Sequence, residues 1–462
     1  MTANSGTATP QKLTAKFKFL FSLGNLTTSM PQAIISFFQL YFLTDIAGLR
    51  PDYAAWSIAA GRLWDAVNDP LFGVISDRIK SRHGRRRVLL LYSAIPLGLT
   101  YATMWFVPKF GQAGLAVFYA IVFILFDTCY TAMHVGFNSL TPELTSDYDE
   151  RSSLNGYQMA ISITGTLSVI VLATVLSWYI KDEKTLYAYL GVGLGLLSIL
   201  PVIIVFWVTR GYRSSLETDP LPVWESILAT VRNRPFQRVM GLYLMSWTAV
   251  SIMAAVLVYF ANYYLRAPDI SYYLVLAAQG SAIAFVPVVV WLSKRYEKRM
   301  AFILGSGSWV IFLLLIFTIG PTQIVQTFVL AVLSGLGIAT AYIVPWAMIP
   351  DIIEHDQLAT GQRREGSFYA LASFFQKLGT GAALWLMGQI FAFTGYINPS
   401  QGASLPVQPE EAVLAIRWFA SIIPTILLVF AILFAWKYSI SREAHGKILE
   451  QLKDGPGSIF SG

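Results

Sequence analysis

The sequence predicts an all-α polytopic membrane protein with twelve transmembrane helices in two bundles of six. Three observations predict it. Of 462 residues, 55% are hydrophobic and 13% charged, about half the charged share of an average soluble domain, and the mean hydropathy is +0.56. Apolar runs long enough for a helix of about 20 residues to cross a bilayer recur twelve times. Basic residues concentrate in every second connection between those runs, the asymmetry that orients a polytopic chain.

Each span is bounded by charge, proline or glycine. Span one, 17–44, opens among Lys12, Lys16 and Lys18; it is too long for the core of a cleavable signal and contains Asn25, Thr27 and Thr28. Span two, 53–76, opens after Pro51 and is stopped by DRIKSRHGRRR. Span three, 88–107, closes at Pro108 and Lys109, and span four, 113–141, at Pro142. Span five, 154–179, stops before Lys181, and span six, 185–209, at Arg210. The second set runs 236–264 up to Arg266, 270–293 up to a second basic cluster, 300–319 up to Gly320, 323–349 up to Pro350, 366–394 up to Gly395, and 412–436 up to Lys437. Gly, Pro, Ser and Asn inside several spans are tolerated where neighbouring helices satisfy the freed backbone groups. The expected organisation is an N-terminal bundle over 1–209, a cytoplasmic connector over 210–235, a C-terminal bundle over 236–437 and a cytoplasmic tail over 438–462.

A net charge of +7 raises the question of a nucleic-acid partner. The positions of the charges answer it. With both termini on one side, that side receives 25 of the 33 Lys and Arg and the other side 6, while Arg62 and Lys377 lie within spans. The basic loops are therefore topological anchors, which places both termini in the cytoplasm of a cell-membrane protein and leaves no nucleic-acid patch. The single cysteine, Cys129, excludes an intrachain disulfide and most thiolate metal sites.

Two internal echoes divide the chain. DRIKSRHGRRR after span two is matched by SKRYEKR after span eight, and PELTSDYDERSSLNGY from Pro142 by PDIIEHDQLATGQRREGSFY from Pro350. Both are displaced by six spans. Such a repeat predicts two similar bundles with a site near the midplane between halves that rock against each other.

A charge at mid-bilayer costs about 2.5 to 3.5 kcal/mol even on insertion scales, so each intramembrane ion is a functional candidate. Asp65 and Asp69 stand four residues apart in GRLWDAVNDPLFG, on one helix face, with Asn68 adjacent and Pro70 beyond. Two close carboxylates in a low dielectric repel unless a cation or proton lies between them. The plainer alternative is that Arg62, three residues before Asp65, neutralises one of them as a packing pair. Asp127 lies in the middle of span four in FILFDTCYTAMHVG, and Lys377, one turn after Ser373, lies in span eleven. The set reads either as a cation site whose occupancy Lys377 senses, or as a static ion pair stapling the halves, for which desolvation exceeds the evident gain. His134 reads as a polar interhelical contact, since no second His or Cys stands at ligand spacing. Trp64, Tyr130, Tyr342 and Trp346 are either interfacial aromatics or stacking faces for a sugar ring or acyl chain.

No GxxxxGK[ST] loop, HExxH, GxSxG or paired CxxC is present, so neither ATP-driven pumping nor membrane-embedded catalysis has a visible engine. An ion gradient is the remaining energy source. One charge moved through the field is worth about 2.3 kcal/mol per 100 mV.

RLWDAVNDPLFGVISDR with GRRR, the FDxxY run at Asp127, PELTSDYDERSSLNGY, and PDIIEHD with RREGSFYALASFFQK resemble the glycoside-pentoside-hexuronide:cation symporters of the major facilitator superfamily, typified by melibiose permease. The resemblance covers about residues 12–440. The stretch from PWAMIPDIIEHD through Lys377 also resembles the sodium-dependent lysophosphatidylcholine symporters. It implies a twelve-helix major facilitator fold, symport with Na+, H+ or Li+, and a cation site at the residues matching Asp65, Asn68, Asp69 and Asp127. By the same resemblance Ser373 stands at a span-eleven hydroxyl ligand and Lys377 at the family's lysine. Two departures touch the substrate. Where the sugar-binding aspartate of span one and the arginine of span five stand in melibiose permease, this chain reads Asn25 and Leu26, and Gln158 and Met159.

The expectation is a monomeric symporter, not an enzyme, that carries a sugar or glycoside with a monovalent cation held chiefly by Asp65 and Asp69. Arg62 and Lys377 couple cation to substrate. Asn25, Gln32, Asp127, Tyr130, Gln158, Tyr342, Trp346 and Lys377 contact the substrate. The alternative cargo is a lysophospholipid, which suits a less polar cavity. A transport-derived sensor would need a signalling domain for which residues 437–462 are too short.

Overall fold

The computed structural model describes residues 13–78, 85–145, 147–210, 223–362, 364–399 and 405–453. Part of the basic run over 77–87, of the connector over 210–235 and of the tail over 438–462 lies outside the described residues. Every regular element among the described residues is helical. The order is α1 (Ala15–Ser22), a 3-10 turn (Leu23–Asn25), α2 (Leu26–Tyr41), a π-helical turn (Phe42–Ile46), α3 (Pro51–Arg78), α4 (Arg85–Met104), α5 (Gln112–Leu144), α6 (Tyr148–Tyr179) and α7 (Glu183–Val208). After α8 (Val223–Arg232) come α9 (Arg234–Tyr259), a second π-helical turn (Phe260–Tyr264), a 3-10 turn (Pro268–Ile270), α10 (Ser271–Ala284), α11 (Val286–Thr318) and α12 (Ile324–Thr360). The chain closes with α13 (Glu365–Phe393), α14 (Glu410–Ala420), α15 (Ile422–Trp436) and α16 (Arg442–Lys453).

Local chemistry sets many of these ends. Asp147, Asp182 and Asn233 cap α6, α7 and α9 by accepting from the backbone N–H three residues on. Gly361, at φ 70°, ends α12 in the left-handed region that a side chain disfavours. Val286–Thr318, α11, is two helices meeting at a kink inside the expected break over 293–299. Only Glu297, at φ 71° and ψ 158°, leaves helical geometry there, and it divides two crossings that the sequence separates by basic residues. By length and apolar composition eight described segments can cross a bilayer, and one of them, Pro268–Thr318, is 51 residues long, enough for the two crossings that meet at Glu297. α3 and α13, which carry Arg62, Asp65, Asp69 and Lys377, fall outside that group.

The contacts divide the chain into two compact units, Met1–Ile35 with Leu63–Thr218, and Ser36–Arg62 with Asp219–Gly462. This differs from a cut at the connector, because the end of α2 and the first half of α3 pack with the second unit. In the first unit α4 crosses α7 at Gly98 and Gly195, where a Cβ on either would stand 2.5 Å from the other's carbonyl oxygen, so the crossing needs glycine. Trp105 stacks on Tyr187 beside it, ring centroids 5.5 Å apart. Thr27 Oγ1 donates to Ser198 O (3.0 Å), joining α2 to α7. In the second unit Phe236, Tyr243, Met348, Ile352 and Phe368 form a buried core among α9, α12 and α13.

The paired echoes have parallel roles within their own units. In the first, Glu150 accepts from Lys18 Nζ at 2.8 Å and from Leu13 N at 3.2 Å, tying the first turn of α6 to α1. In the second, Asp356 accepts from Arg364 Nη2 at 2.8 Å and from Asn233 Nδ2 at 3.1 Å, tying α12 to the start of α9.

Candidate functional site

The first unit brings the predicted cation residues of α3 to α5. Asp65, Asn68 and Asp69 occupy one face of α3 by their i, i+3, i+4 spacing. Thr131 on α5 points its hydroxyl at both acids, 3.1 Å from Asp69 Oδ1 and 3.5 Å from Asp65 Oδ1. Asn68 Nδ2 donates to the backbone carbonyl of Asp127 at 3.2 Å, and Trp64 Nε1 to Thr128 Oγ1 at 2.9 Å. Asp65 is 2% exposed, Asn68 1%, Thr131 2% and Asp127 9%, while Asp69 is half-buried. Carboxylate, hydroxyl and amide oxygens are hard donors, the set that a small monovalent or divalent cation accepts and a soft metal does not. Among the described residues no group of three or more His, Cys, Asp or Glu is placed to hold a metal ion. The geometry thus joins Asp65 and Asp69 through Thr131 and ties Asp127 to Asn68 through its main chain.

Below Asp127 the polar face of α5 continues. Tyr130 lies parallel to the His134 ring, centroids 5.8 Å apart, and His134 bonds Asn138 at 3.0 Å. Gln158 Nε2 on α6 donates to Thr141 Oγ1 at 3.1 Å. Asn25 sits in the 3-10 turn, its amide donating to Ser22 O at 3.3 Å and its carbonyl accepting from Thr28 at 3.0 Å. Gln32 is half-buried, one residue past the Pro31 of α2.

Ser373, Lys377, Tyr342, Trp346 and Arg62 all lie in the second unit. Tyr369, Ser373 and Lys377 follow i, i+4, i+8 along one face of α13. Tyr369 stacks on Trp346 with centroids 6.0 Å apart, and Tyr342 packs on Trp247 at 5.4 Å. Both indole N–H groups are bonded into the protein, Trp346 to Tyr243 OH at 2.9 Å and Trp247 to Thr380 Oγ1 at 3.0 Å, which fixes the rings of a wall shared by α9, α12 and α13. The stem of Arg62 lies against α13, where a Cβ on Gly381 would be 3.1 Å from Arg62 Cβ. Beside Tyr342 is a cavity lined by Phe37, Val250, Met253, Leu257, Leu274 and Ile338, with Gln279 and Ser334 among its few polar neighbours.

Three candidates were not among the sequence predictions. Thr131 follows Asp127 by one helical turn, but its residue type does not set it apart from the other threonines of the spans. Trp247 and Tyr369 carried no signal beyond being aromatic.

A family model described as MFS/sugar transport protein matches residues 20–442. The uncharacterized symporter sll1374 of Synechocystis sp. is 30% identical, over 96% of this chain and 97% of its own. Sodium-dependent lysophosphatidylcholine symporter 1 of Xenopus tropicalis is 26% identical, over 94% of this chain and 88% of its own. Among solved structures, a D-xylose–proton symporter superposes with a TM-score of 0.66 at 16% identity, covering 92% of this chain and 97% of that one, a likeness of fold. The relatives are transporters rather than enzymes, and their symport implies a co-transported cation. With apolar helices long enough to cross a bilayer and a match that runs nearly end to end, the chain is an integral membrane protein of the MFS/sugar transport protein family within the major facilitator superfamily.

Proposed function

We propose that the protein is a monomeric, cation-coupled symporter of a single-chain phospholipid, working by alternating access with both termini in the cytoplasm. The observation that carries the coupling is the pair of acids, buried Asp65 and half-buried Asp69, both within reach of one Thr131 hydroxyl. Two carboxylates held this close in a low dielectric repel unless a cation or proton lies between them. A monovalent cation, sodium first among those to test, enters between Asp65, Asp69 and Thr131, with Asn68 and Asp127 completing the shell. Occupancy removes the repulsion that otherwise disfavours closure around the site. Because coupling free energies are reciprocal, substrate must tighten the cation as much as cation tightens substrate.

In the second unit Lys377 and Ser373 offer a cation and a hydroxyl to a phosphate, and the aromatic wall with the apolar cavity beside Tyr342 suits an acyl chain. The lysophosphatidylcholine symporter relatives support the same cargo. Arg62, against α13 at Gly381, is the coupling residue on the α3 side. A sugar or glycoside is the second reading, favoured by the stacking faces of Trp346 and Tyr342 and the amides of Asn25, Gln32 and Gln158.

Proteoliposomes with an inward sodium gradient separate the two. Labelled lysophosphatidylcholine should accumulate against its gradient where a labelled disaccharide does not, and Asp65→Asn or Asp69→Asn should abolish accumulation while leaving downhill exchange. Sodium-driven disaccharide uptake without lysolipid uptake would reverse the choice of cargo. Accumulation that survives both substitutions would remove the acids from the coupling.

A further inference from the structure

The turn joining α2 to α3 carries a buried carboxylate, Asp45, that neither the cation site nor the aromatic wall uses. α2 and α9 end in like fashion, each in a five-residue π-helical turn. Ala47 N donates to Phe42 O (2.8 Å) and Leu49 N to Leu43 O (2.9 Å); at the second turn Leu265 N donates to Phe260 O and Ala267 N to Ala261 O, both at 3.0 Å. Spans one and seven therefore finish with the same device, of a kind that recurs at functional positions.

Within the second unit the two turns interlock. Asp45 accepts from the hydroxyl of Tyr263 and, at 2.9 and 3.0 Å, from that of Tyr396 in the loop after α13. Thr44 Oγ1 stands 2.6 Å from Asp45 Oδ2 and 2.7 Å from the Tyr259 hydroxyl. Asn262 Nδ2 donates to Tyr41 OH at 3.0 Å, and Asn398 Nδ2 donates to the carbonyls of Thr44 and Leu49 at 2.6 and 2.7 Å. Asp45 is only 7% exposed. Alongside, α13 meets the first turns of α3 so closely that a Cβ on Gly388 would stand 2.6 Å from Ala55 Cβ. Burial and the Asp45 charge hold the Tyr396 hydroxyl well above the ordinary phenol range, so it stays a donor throughout the working pH range.

A carboxylate out of water is tolerated while its donors stay in place, and loss of one loosens the rest. Such a cluster makes and breaks as a unit. Ser36–Arg62 belongs by chain order to the first six spans and by packing to the second unit. If the first six spans move against the last six, this segment has to leave that packing once in every cycle.

We propose that Asp45, Thr44, Tyr263, Tyr396 and Asn398 form a reversible latch that holds the ends of spans one and two to spans seven and eleven in one transport state and opens, with Asp45 hydrated, in the other. The latch rests on the transport function above.

The test uses the full chain in proteoliposomes, carrying Cys129→Ser, Arg50→Cys and Ile397→Cys; positions 50 and 397 are exposed neighbours of the Leu49–Asn398 bond. A short, reducible thiol cross-linker should lower lysolipid uptake at least about tenfold, leave sodium protection against thermal unfolding intact, and release uptake on reduction. Adding Asp45→Asn or Tyr396→Phe should slow cross-linking at least about threefold by depopulating the closed state. Linked protein that transports as fast as reduced protein overturns the latch, as does a linking rate that neither substitution changes. If neither form takes up lysolipid or disaccharide, transport itself is at fault, and the linking rate still decides whether Asp45 holds the segment.

Discussion

At the scale of single residues, what stood out in the sequence was cost. A carboxylate or ammonium in an apolar helix is expensive enough to mark itself, so Asp65, Asp69, Asp127 and Lys377 were legible as candidates without any structure. Thr131 was not, because threonine in an apolar helix usually bonds back to its own backbone, as Thr128 does to Ile124 O at 2.7 Å and Thr174 to Ile170 O at 2.8 Å. Residue type does not separate those from the one facing two acids. Asp45 was passed over for a related reason: it stands at the expected end of span one, where a charge is ordinary. Ahead of span five, Glu150 accepts a hydrogen bond from Lys18, which holds its carboxyl below the usual glutamate range. A lowered folded-state value contributes stability above the ordinary glutamate pKa of about 4.3 and loses it as pH falls through the lower folded value. Thermal unfolding compared between the wild type and Glu150→Gln should therefore differ at neutral pH and converge in acid. A difference that persists unchanged below about pH 4 would assign the Glu150 contribution to packing instead of charge.

At the scale of elements, most spans could be read from their apolar length and their Pro, Gly or basic stops, and many helix ends fall within a few residues of those marks, although α12 continues about eleven residues beyond the expected end of span ten at 349. KRYEKR, polar enough to read as a break, does hold one: two helices meet at a kink at Glu297. What the pattern missed is continuity at span ten, where α12 runs through Pro350 to Thr360. The 3-10 turn at Leu23–Asn25 and the two π-helical turns are equally silent in a hydropathy pattern, since they change hydrogen-bond register and not composition. Helix crossings are where glycines become specific. A Cβ on Gly337 of α12 would overlap the Trp309 side chain of α11, standing 2.7 Å from Cδ2, whereas one on Gly307 would meet nothing within 4 Å. Gly337→Ala should cost about 1 to 3 kcal/mol by overpacking, while Gly307→Ala should be neutral or gain up to about 1 kcal/mol in helix propensity. Thermal unfolding in one detergent measures both. Equal effects of the two would mean that the α11–α12 crossing relaxes freely.

At the scale of the whole molecule, two displaced echoes announced two related halves, and the two copies of the echo that starts at Pro142 and Pro350 each contain an acid that ties its own unit together, Glu150 to Lys18 and Asp356 to Arg364. The sequence placed the organisational cut at the connector, while the contacts assign Ser36–Arg62 to the second unit; packing between distant segments leaves no mark in local composition. If Asp65 and Asp69 of α3 hold a mobile monovalent cation, equilibrium binding of radioactive sodium to the purified protein reads it without the need for transport. Binding should be saturable, weakened about tenfold by Thr131→Val, the worth of about 1.4 kcal/mol for one lost oxygen contact, and abolished by Asp65→Asn and by Asp69→Asn. Sodium binding of undiminished affinity in both aspartate variants would contradict it.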